Sequence, residues 1–139
     1  MPGDRTRPAV LIVDDDADIR DLVGDCLEAE GYQVHTAPDG RQALDALRLG
    51  LRPSVIFLDL MMPIVSGFDV LIALRNSPDW RAIPVVIFTA SHDGNARDLD
   101  GAFEILRKPA DLDAVLASAQ KAIAVTHRDN GAASVGGVR

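Results

Sequence analysis

The stretch Ala9-Val10-Leu11-Ile12-Val13-Asp14-Asp15-Asp16 joins five consecutive apolar residues to three carboxylates. Unbroken apolar runs of this length are typical of strands buried on both faces, as in parallel sheets covered by helices. Two later runs have the same form, since Val55-Ile56-Phe57-Leu58 precedes Asp59 and Val85-Val86-Ile87-Phe88 precedes Thr89. The sequence therefore predicts a parallel sheet in which several strands end in a polar residue.

Segments with an apolar period of 3.6 residues alternate with these runs, and the alternation predicts five β/α units in one α/β domain. We predict strands over residues 9–14, 33–37, 54–59, 84–89 and 104–107. We predict helices over residues 17–30, 39–49, 66–76, 94–100 and 111–125. After Thr126 the composition changes to glycine, alanine, serine and a few charges. Residues 127–139 are therefore expected to form a disordered tail. If this tail is the natural end of the protein, no effector domain is attached.

Length and charge limit the classes of function. A chain of 139 residues fits one domain with a single core. The formal net charge of −7 opposes binding to phosphate backbones, so direct contact with nucleic acid is not expected. No apolar run approaches the roughly 20 residues that span a bilayer. The N-terminal residues 1–8 lack the apolar stretch of a secretory signal, and Cys26 is the single cysteine, so we expect a cytoplasmic protein without a membrane partner.

Three of the carboxylates are expected to meet in space. Right-handed crossovers bring the carboxyl ends of parallel strands to one edge of the sheet, which would place Asp14, Asp15 and Asp59 close together. Neighbouring carboxylates repel one another unless a cation intervenes, and a hard divalent ion with oxygen ligands suits them. We expect Mg²⁺, because it keeps several waters and binds phosphate oxygens, while Mn²⁺ would also fit.

The same edge carries the residue types that phosphoryl transfer requires. Asp59 is the expected nucleophile, because a preorganised carboxylate can form an acyl phosphate. Lys108 would neutralise the equatorial oxygens, and the Thr89 hydroxyl would donate a hydrogen bond beside the small Ala90. Taken singly, the acids also fit a helix cap and the lysine a solvated charge. Asp16 is assigned to capping and not to the metal, because it precedes an amphipathic run.

These residues resemble the receiver domain of bacterial two-component response regulators over about residues 8–126. The motifs that carry the resemblance are Leu11-Ile12-Val13-Asp14-Asp15-Asp16, Asp59-Leu60-Met61-Met62-Pro63, Ser66-Gly67, Ile83-Pro84-Val85-Val86, Thr89-Ala90, Gly101-Ala102 and Lys108-Pro109. The resemblance implies a single doubly wound (βα)5 flavodoxin-like domain with a five-stranded parallel sheet of order 2-1-3-4-5.

The resemblance also implies a function. Asp59 would accept a phosphoryl group from a histidine kinase or phosphotransfer protein, and the phosphorylated domain would switch its binding to a downstream protein. Thr89 would swing toward the phosphate, and the Lys108-Pro109 peptide would be cis. Such a protein is no ordinary enzyme, because it catalyses only its own Mg²⁺-dependent phosphorylation and dephosphorylation. The implied metal ligands are Asp14, Asp15, Asp59 and the backbone carbonyl of Met61.

Two departures from the family pattern concern the output. Ile105 stands three residues before the lysine, where members usually carry tyrosine or phenylalanine. The segment between Thr89 and Gly101 is about one helical turn shorter than usual. We therefore expect phosphorylation to reshape chiefly the loop after Thr89. Pairing of two copies through the helices predicted over residues 94–100 and 111–125 is left open.

Two alternative functions are considered. Phosphohydrolases of the haloacid dehalogenase type also use an aspartyl phosphate, but their first strand ends in Asp-x-Asp-x-Thr or Val, whereas Asp18 occupies that last position here. They also leave Asp59 and Lys108 without an explanation. The other alternative is a receiver-like interaction module that is never phosphorylated. Ile105 and the short segment after Thr89 favour it, and the complete set of core residues argues against it.

Overall fold

Five parallel strands form the centre of the protein. The computed structural model describes residues 7–90, 101–108 and 111–138, with side chains up to Thr126. The strands are β1 (Ala9–Val13), β2 (Gln33–Ala37), β3 (Val55–Leu58), β4 (Val85–Thr89) and β5 (Glu104–Arg107). They pair in the order β2-β1-β3-β4-β5, and every pairing is parallel. The predicted fold class and strand order are confirmed.

Helices cover both faces of this sheet. Those in the described ranges are α1 (Ala17–Ala29), α2 (Gly40–Arg48), α3 (Gly67–Arg75) and α4 (Leu112–Val138). The bounds of the strands and of α1 to α3 agree with the predicted ones to within one residue. The helix predicted over residues 94–100 lies outside the described residues. Among the described residues, no helix has both the length and the apolar character needed to cross a bilayer.

The last helix is longer than its apolar pattern predicts. Helix α4 continues to Val138, past the predicted end at residue 125 and through most of the stretch 127–139 for which the composition predicted disorder. Helical hydrogen bonds are local, and alanines such as those at positions 132 and 133 favour them without any apolar stripe. The backbone thus differs from the expected tail, and the division into a receiver over residues 8–126 and a tail stays a prediction.

The core consists of two apolar layers, one on each face of the sheet. Alternate strand residues contribute to each layer, because successive side chains of a strand point to opposite faces. Helices α2 and α3 cover a layer that includes Leu11, Val13, Leu44, Leu47, Ile56, Leu58, Leu71 and Ile87. Helices α1 and α4 cover a layer that includes Val10, Ile12, Val23, Leu27, Phe57, Phe88, Val115 and Ala119. Burial of each large aliphatic side chain contributes roughly 1.5–3 kcal/mol.

Side chains at the strand–helix junctions fix where the helices begin. Asp16 is the N-cap of α1, and its Oδ1 accepts hydrogen bonds from the backbone nitrogens of Asp18 (2.9 Å) and Ile19 (3.3 Å). This confirms the capping role predicted for Asp16. Ser66 and Asp69 form a reciprocal capping box at the start of α3. Both caps lie at the carboxyl edge of the sheet, so they also fix the loops that follow β1 and β3.

Candidate functional site

Three carboxylates meet at the carboxyl edge of the sheet. Asp14 follows β1 and Asp59 follows β3, and these neighbouring strands are in register at their last residues, Val13 and Leu58. The backbone nitrogen of Asp59 donates to the carbonyl of Val13 at 2.9 Å, which continues the pairing to the acids. Oxygen atoms of Asp14, Asp15 and Asp59 all lie within 4.8 Å of one another. The structure thus brings together the three acids that the sequence predicted to be neighbours.

Lys108 reaches this cluster from β5, the strand at one edge of the sheet. It follows β5, and its backbone nitrogen donates to the carbonyl of Thr89 at 3.0 Å. Its Nζ lies 2.6 Å from Oδ2 of Asp14 and 3.5 Å from Oδ2 of Asp59. Asp14 and Asp59 are only 1% and 5% exposed, so both ion pairs are shielded from water and are weakly screened by salt. Lys108 is therefore the cation that balances two buried acids.

The environment of Asp59 favours its neutral form. Burial away from water raises the pKa of the Asp59 carboxyl, and the negative charge of Asp14 raises it further. The Lys108 ammonium and the backbone nitrogen of Met61, which donates to Oδ1 of Asp59 at 3.3 Å, act in the opposite direction on this pKa with smaller effect. The ionised Asp59 carboxylate would thus gain stability from additional positive charge.

The β1–α1 loop is held by contacts that the sequence analysis missed. Oδ1 of Asp14 accepts a hydrogen bond from the backbone nitrogen of Asp16 at 2.9 Å. The Arg20 guanidinium on α1 donates to the carbonyl oxygen of Asp14 at 2.7 Å. A basic residue one turn into a helix that follows the acidic loop was a signal for this contact, because side chains of a helix lean toward its N-terminus.

The loop between β3 and α3 surrounds the other side of Asp59. Met61 is 63% exposed and Ile64 is 83% exposed. Ile64 has a φ of 71°, a left-handed conformation that is strained for a β-branched residue. Gly67 packs so closely on the Asp59 carbonyl that a Cβ atom would collide with it. This glycine is required for close approach and not for its dihedral angles.

The remaining predicted residues lie at the same edge. Thr89 is buried at the end of β4 and Ala90 is exposed next to it. The contact between the Thr89 hydroxyl and a phosphoryl group stays a prediction. Pro109 lies outside the described residues, so the predicted cis Lys108-Pro109 peptide does too.

The donor set fits a divalent cation. Carboxylate oxygens are hard ligands of the kind that Mg²⁺ prefers. Three acids face one lysine, so the cluster carries excess negative charge. Oδ2 of Asp14 is buried and, although it forms the ion pair with Lys108, it has no hydrogen-bond partner of suitable geometry among the described residues. The three converging carboxylate oxygens of Asp14, Asp15 and Asp59 fit a cation, because a positive ion between them would offset their mutual repulsion.

Sheet order and helical layers place the protein in the flavodoxin-like class of doubly wound α/β domains. A family model described as the response regulator receiver domain matches residues 10–120. The chain belongs to this family, and it is a receiver domain of the response regulators of two-component systems.

Relatives and solved structures agree with this assignment. The chain is 40% identical to the DNA-binding dual master transcriptional regulator RpaA of Synechocystis, an alignment that covers 87% of this chain and 51% of RpaA. It is 38% identical to the sensor histidine kinase TmoS of Ectopseudomonas mendocina over 66% of this chain and 9% of TmoS. The structure of the Vibrio cholerae chemotaxis protein CheY4 superposes with a TM-score of 0.78 at 32% identity, covering 84% of this chain and 99% of CheY4. The chain therefore corresponds to about half of RpaA and to a small part of TmoS.

Proposed function

We propose that this receiver domain accepts a phosphoryl group on Asp59 in a Mg²⁺-dependent reaction and thereby changes its binding to a partner protein. The observation that carries the proposal is the contact set of Asp59. Its carboxylate is 5% exposed, lies 3.5 Å from the Lys108 ammonium, and shares the edge of the sheet with Asp14 and Asp15. A buried nucleophile next to a fixed cation is preorganised for acyl phosphate formation.

The chemistry is an in-line displacement at phosphorus. A carboxylate oxygen of Asp59 forms the new P–O bond, while the bond from phosphorus to the donor's histidine nitrogen breaks. The imidazole leaves with the electron pair and takes a proton from solvent. Lys108 neutralises charge on the transferred oxygens, and the Thr89 hydroxyl donates a hydrogen bond to one of them.

The cation belongs to the proposal as well. Asp14, Asp15, Asp59 and the backbone carbonyl of Met61 would hold Mg²⁺, with Mn²⁺ as a substitute, and the bound ion would supply positive charge to the phosphoryl oxygens. Asp15 is the exposed member of the trio, whereas Asp14 and Asp59 are buried. Substitution of Asp15 therefore tests the cation site with the least disturbance of the core.

The proposed phosphoryl donor is a sensor histidine kinase or a histidine phosphotransfer protein. The proposed downstream partner, which binds the phosphorylated domain, is a further protein. The family assignment supports both. The comparisons do not support the expected absence of a nucleic acid partner, because the similar protein RpaA is described as DNA-binding. A cytoplasmic location and a role limited to the domain's own phosphorylation and dephosphorylation are parts of the proposal. Pairing into a homodimer stays a prediction.

A receiver-like module that is never phosphorylated is the second candidate. The observation that favours it is Ile105, which is 46% exposed on β5 and provides no aromatic ring there to respond to the site. Such a module would bind its partner equally well with or without a phosphodonor.

Incubation with acetyl phosphate and Mg²⁺, followed by intact-mass measurement, separates the candidates. We expect the wild type to gain the mass of one phosphoryl group, and we expect no gain for Asp59→Asn or after chelation of Mg²⁺. Asp45→Asn is the matched control, because this acid is exposed on α2 and pairs locally with Arg48. An unmodified wild type would exclude the proposed function and favour the second candidate.

A further inference from the structure

We propose that Phe88 is a positioning residue for Lys108: its ring forms the surface on which the lysine crosses β4 to reach Asp59. The Lys108 ammonium lies over this ring, 5.3 Å from its centroid. The inference rests on the proposed function, because it concerns the cation that the transfer requires.

The sheet order makes such a crossing necessary. Lys108 follows β5, whereas Asp59 follows β3 and Asp14 follows β1. In the order β2-β1-β3-β4-β5, strand β4 lies between the lysine and both of its acidic partners. Neighbouring strands are about 4.8 Å apart, so the side chain of Lys108 has to extend over β4.

Strand alternation places Phe88 directly on this route. Phe88 and Phe57 belong to one apolar layer, and Leu106 packs against the same layer. Asp59 lies two residues after Phe57, and Lys108 lies two residues after Leu106, so their side chains leave the sheet on the face that carries Phe88. Phe88 pairs with Leu106 in the register of β4 and β5, so its ring lies on this face two residues before the level of Lys108.

The surroundings strengthen the contact between ring and ammonium. Phe88 is 5% exposed, and the side chain of Lys108 is 14% exposed. A cation over an aromatic face is attracted by the ring quadrupole, and the attraction grows when water is excluded. A lysine has four flexible carbon–carbon bonds in its stem, so a ring that favours the extended conformers reduces the number of unproductive ones.

A neutral ring has an advantage over a second acid at this place. Before transfer the ammonium lies closer to Asp14 (2.6 Å) than to Asp59 (3.5 Å). The incoming phosphoryl oxygens have to attract the ammonium away from Asp14. The ring of Phe88 carries no net charge, so it holds the ammonium near the acceptor both before and after transfer without competing as an ion-pair partner.

A double-mutant cycle on the full chain tests the proposal. The four proteins are the wild type, Phe88→Leu, Lys108→Gln and the double variant, and the measured quantity is the initial rate of phosphorylation by acetyl phosphate at saturating Mg²⁺. Leucine keeps an apolar side chain in the layer but has no aromatic face. We expect Phe88→Leu to slow the wild type roughly 3- to 10-fold, and to change the rate of Lys108→Gln by less than about 2-fold.

Phe88→Tyr is the matched variant that retains the ring, and we expect its rate to stay within about 3-fold of the wild type. Beryllofluoride affinity, measured in the same proteins, gives a second readout in which Lys108 meets a phosphoryl mimic, and the same pattern is expected. Urea unfolding confirms that each variant is folded under the assay conditions. If Phe88→Leu does not fold, Phe88→Met replaces it, because methionine adapts to irregular gaps.

The outcomes are distinguishable. Equal slowing of both backgrounds by Phe88→Leu would show that Phe88 acts on the fold or on Asp59, and would overturn the positioning role. No slowing of the wild type would also overturn it. A wild type that is not phosphorylated at all would instead refute the proposed function, and the beryllofluoride affinities would then decide the role of Phe88 alone.

Discussion

The buried carboxylate of Asp59 has an energetic cost in the metal-free protein. Its pKa is raised in the folded state by burial and by Asp14, so folding favours the protonated form. This contribution to stability is present below the unfolded pKa of about 3.9 and is lost as the pH rises through the higher folded value. At neutral pH the charged group therefore destabilises the fold.

Asp59→Asn removes this charge. With Mg²⁺ chelated, we expect the substitution to raise the free energy of unfolding by about 1 kcal/mol at neutral pH, and the difference to shrink as the pH falls toward about 4. Urea denaturation of both proteins at a series of pH values measures this difference in the free energy of unfolding. A variant less stable than the wild type at neutral pH would show that the ion pair with Lys108 outweighs burial.

We expect Met61 to limit the access of water to the proposed phosphoaspartate at Asp59. It lies two residues after Asp59, and this apolar residue is 63% exposed. We expect a slow loss of phosphate in the wild type. We expect the loss to be about 3-fold faster in Met61→Ala, because a smaller side chain leaves room for water. The half-life of the phosphorylated protein, followed by intact mass, measures the effect.

Ile72→Ala is the control for Met61, because this exposed residue on α3 is apolar as well but belongs to the helix and not to the loop after Asp59. A half-life of seconds in the wild type would contradict the role of Met61. Equal half-lives in wild type and Met61→Ala would do so too.

Individual residues were predictable where their role follows from chain position. Asp14, Asp15 and Asp59 each follow an apolar strand, so topology alone places them together. Phe88 and Arg20 were not assigned site roles from the sequence. An aromatic residue in a strand is usually core, and the ring–ammonium contact depends on how far Lys108 extends in three dimensions.

Two glycines show how the elements are packed. A Cβ atom on Gly67 would collide with the backbone of Asp59 and Leu60 at the start of α3. On Gly24, inside α1, a Cβ atom would make an ordinary contact at 3.5 Å with Val34. The same change to alanine should therefore have opposite effects at the two positions.

We expect Gly67→Ala to destabilise the protein by roughly 1–3 kcal/mol through overpacking, and to slow phosphorylation because the Asp59 backbone has to shift. We expect Gly24→Ala to stabilise it by up to about 1 kcal/mol through helix propensity. Denaturant unfolding of the wild type and of both variants measures the two changes in the free energy of unfolding. A tolerated alanine at position 67 would show that the α3 start can move without disturbing the site.

The strands and the first three helices were predictable because their signals are local. Apolar runs of four or five residues define the strands, and Asp16 and Ser66 define helix starts through side-chain caps. The end of α4 was not predictable in this way. Its apolar stripe stops near residue 125, and the continuation to Val138 carries no periodic signal in a sequence rich in glycine and alanine.

Binding of a cation should couple the site to the stability of the whole molecule. A ligand that binds only the folded state stabilises it by RT ln(1 + [L]/Kd), which is about 2.7 kcal/mol at one hundred times Kd. We expect Mg²⁺ to raise the melting temperature of the wild type in a concentration-dependent manner. Differential scanning calorimetry with increasing Mg²⁺ measures this shift.

Asp15→Asn should abolish most of the shift, because it removes one of three converging carboxylates while its exposed position spares the core. A sodium salt at the same ionic strength controls for screening of the acidic surface. An equal shift in wild type and variant would place the effect of Mg²⁺ elsewhere on this chain of net charge −7.

The route of Lys108 over β4 has a consequence for how the protein is made. Asp14, the closer acidic partner of Lys108, follows the first strand, and Lys108 follows the fifth. A nascent chain therefore cannot complete this ion pair until the fifth strand has been synthesised and added to the sheet. Contacts between such distant parts of a chain form late and slow the search for the native state. We therefore expect the proposed phosphorylation of Asp59 to require the finished fold, so that a partly assembled chain sends no signal.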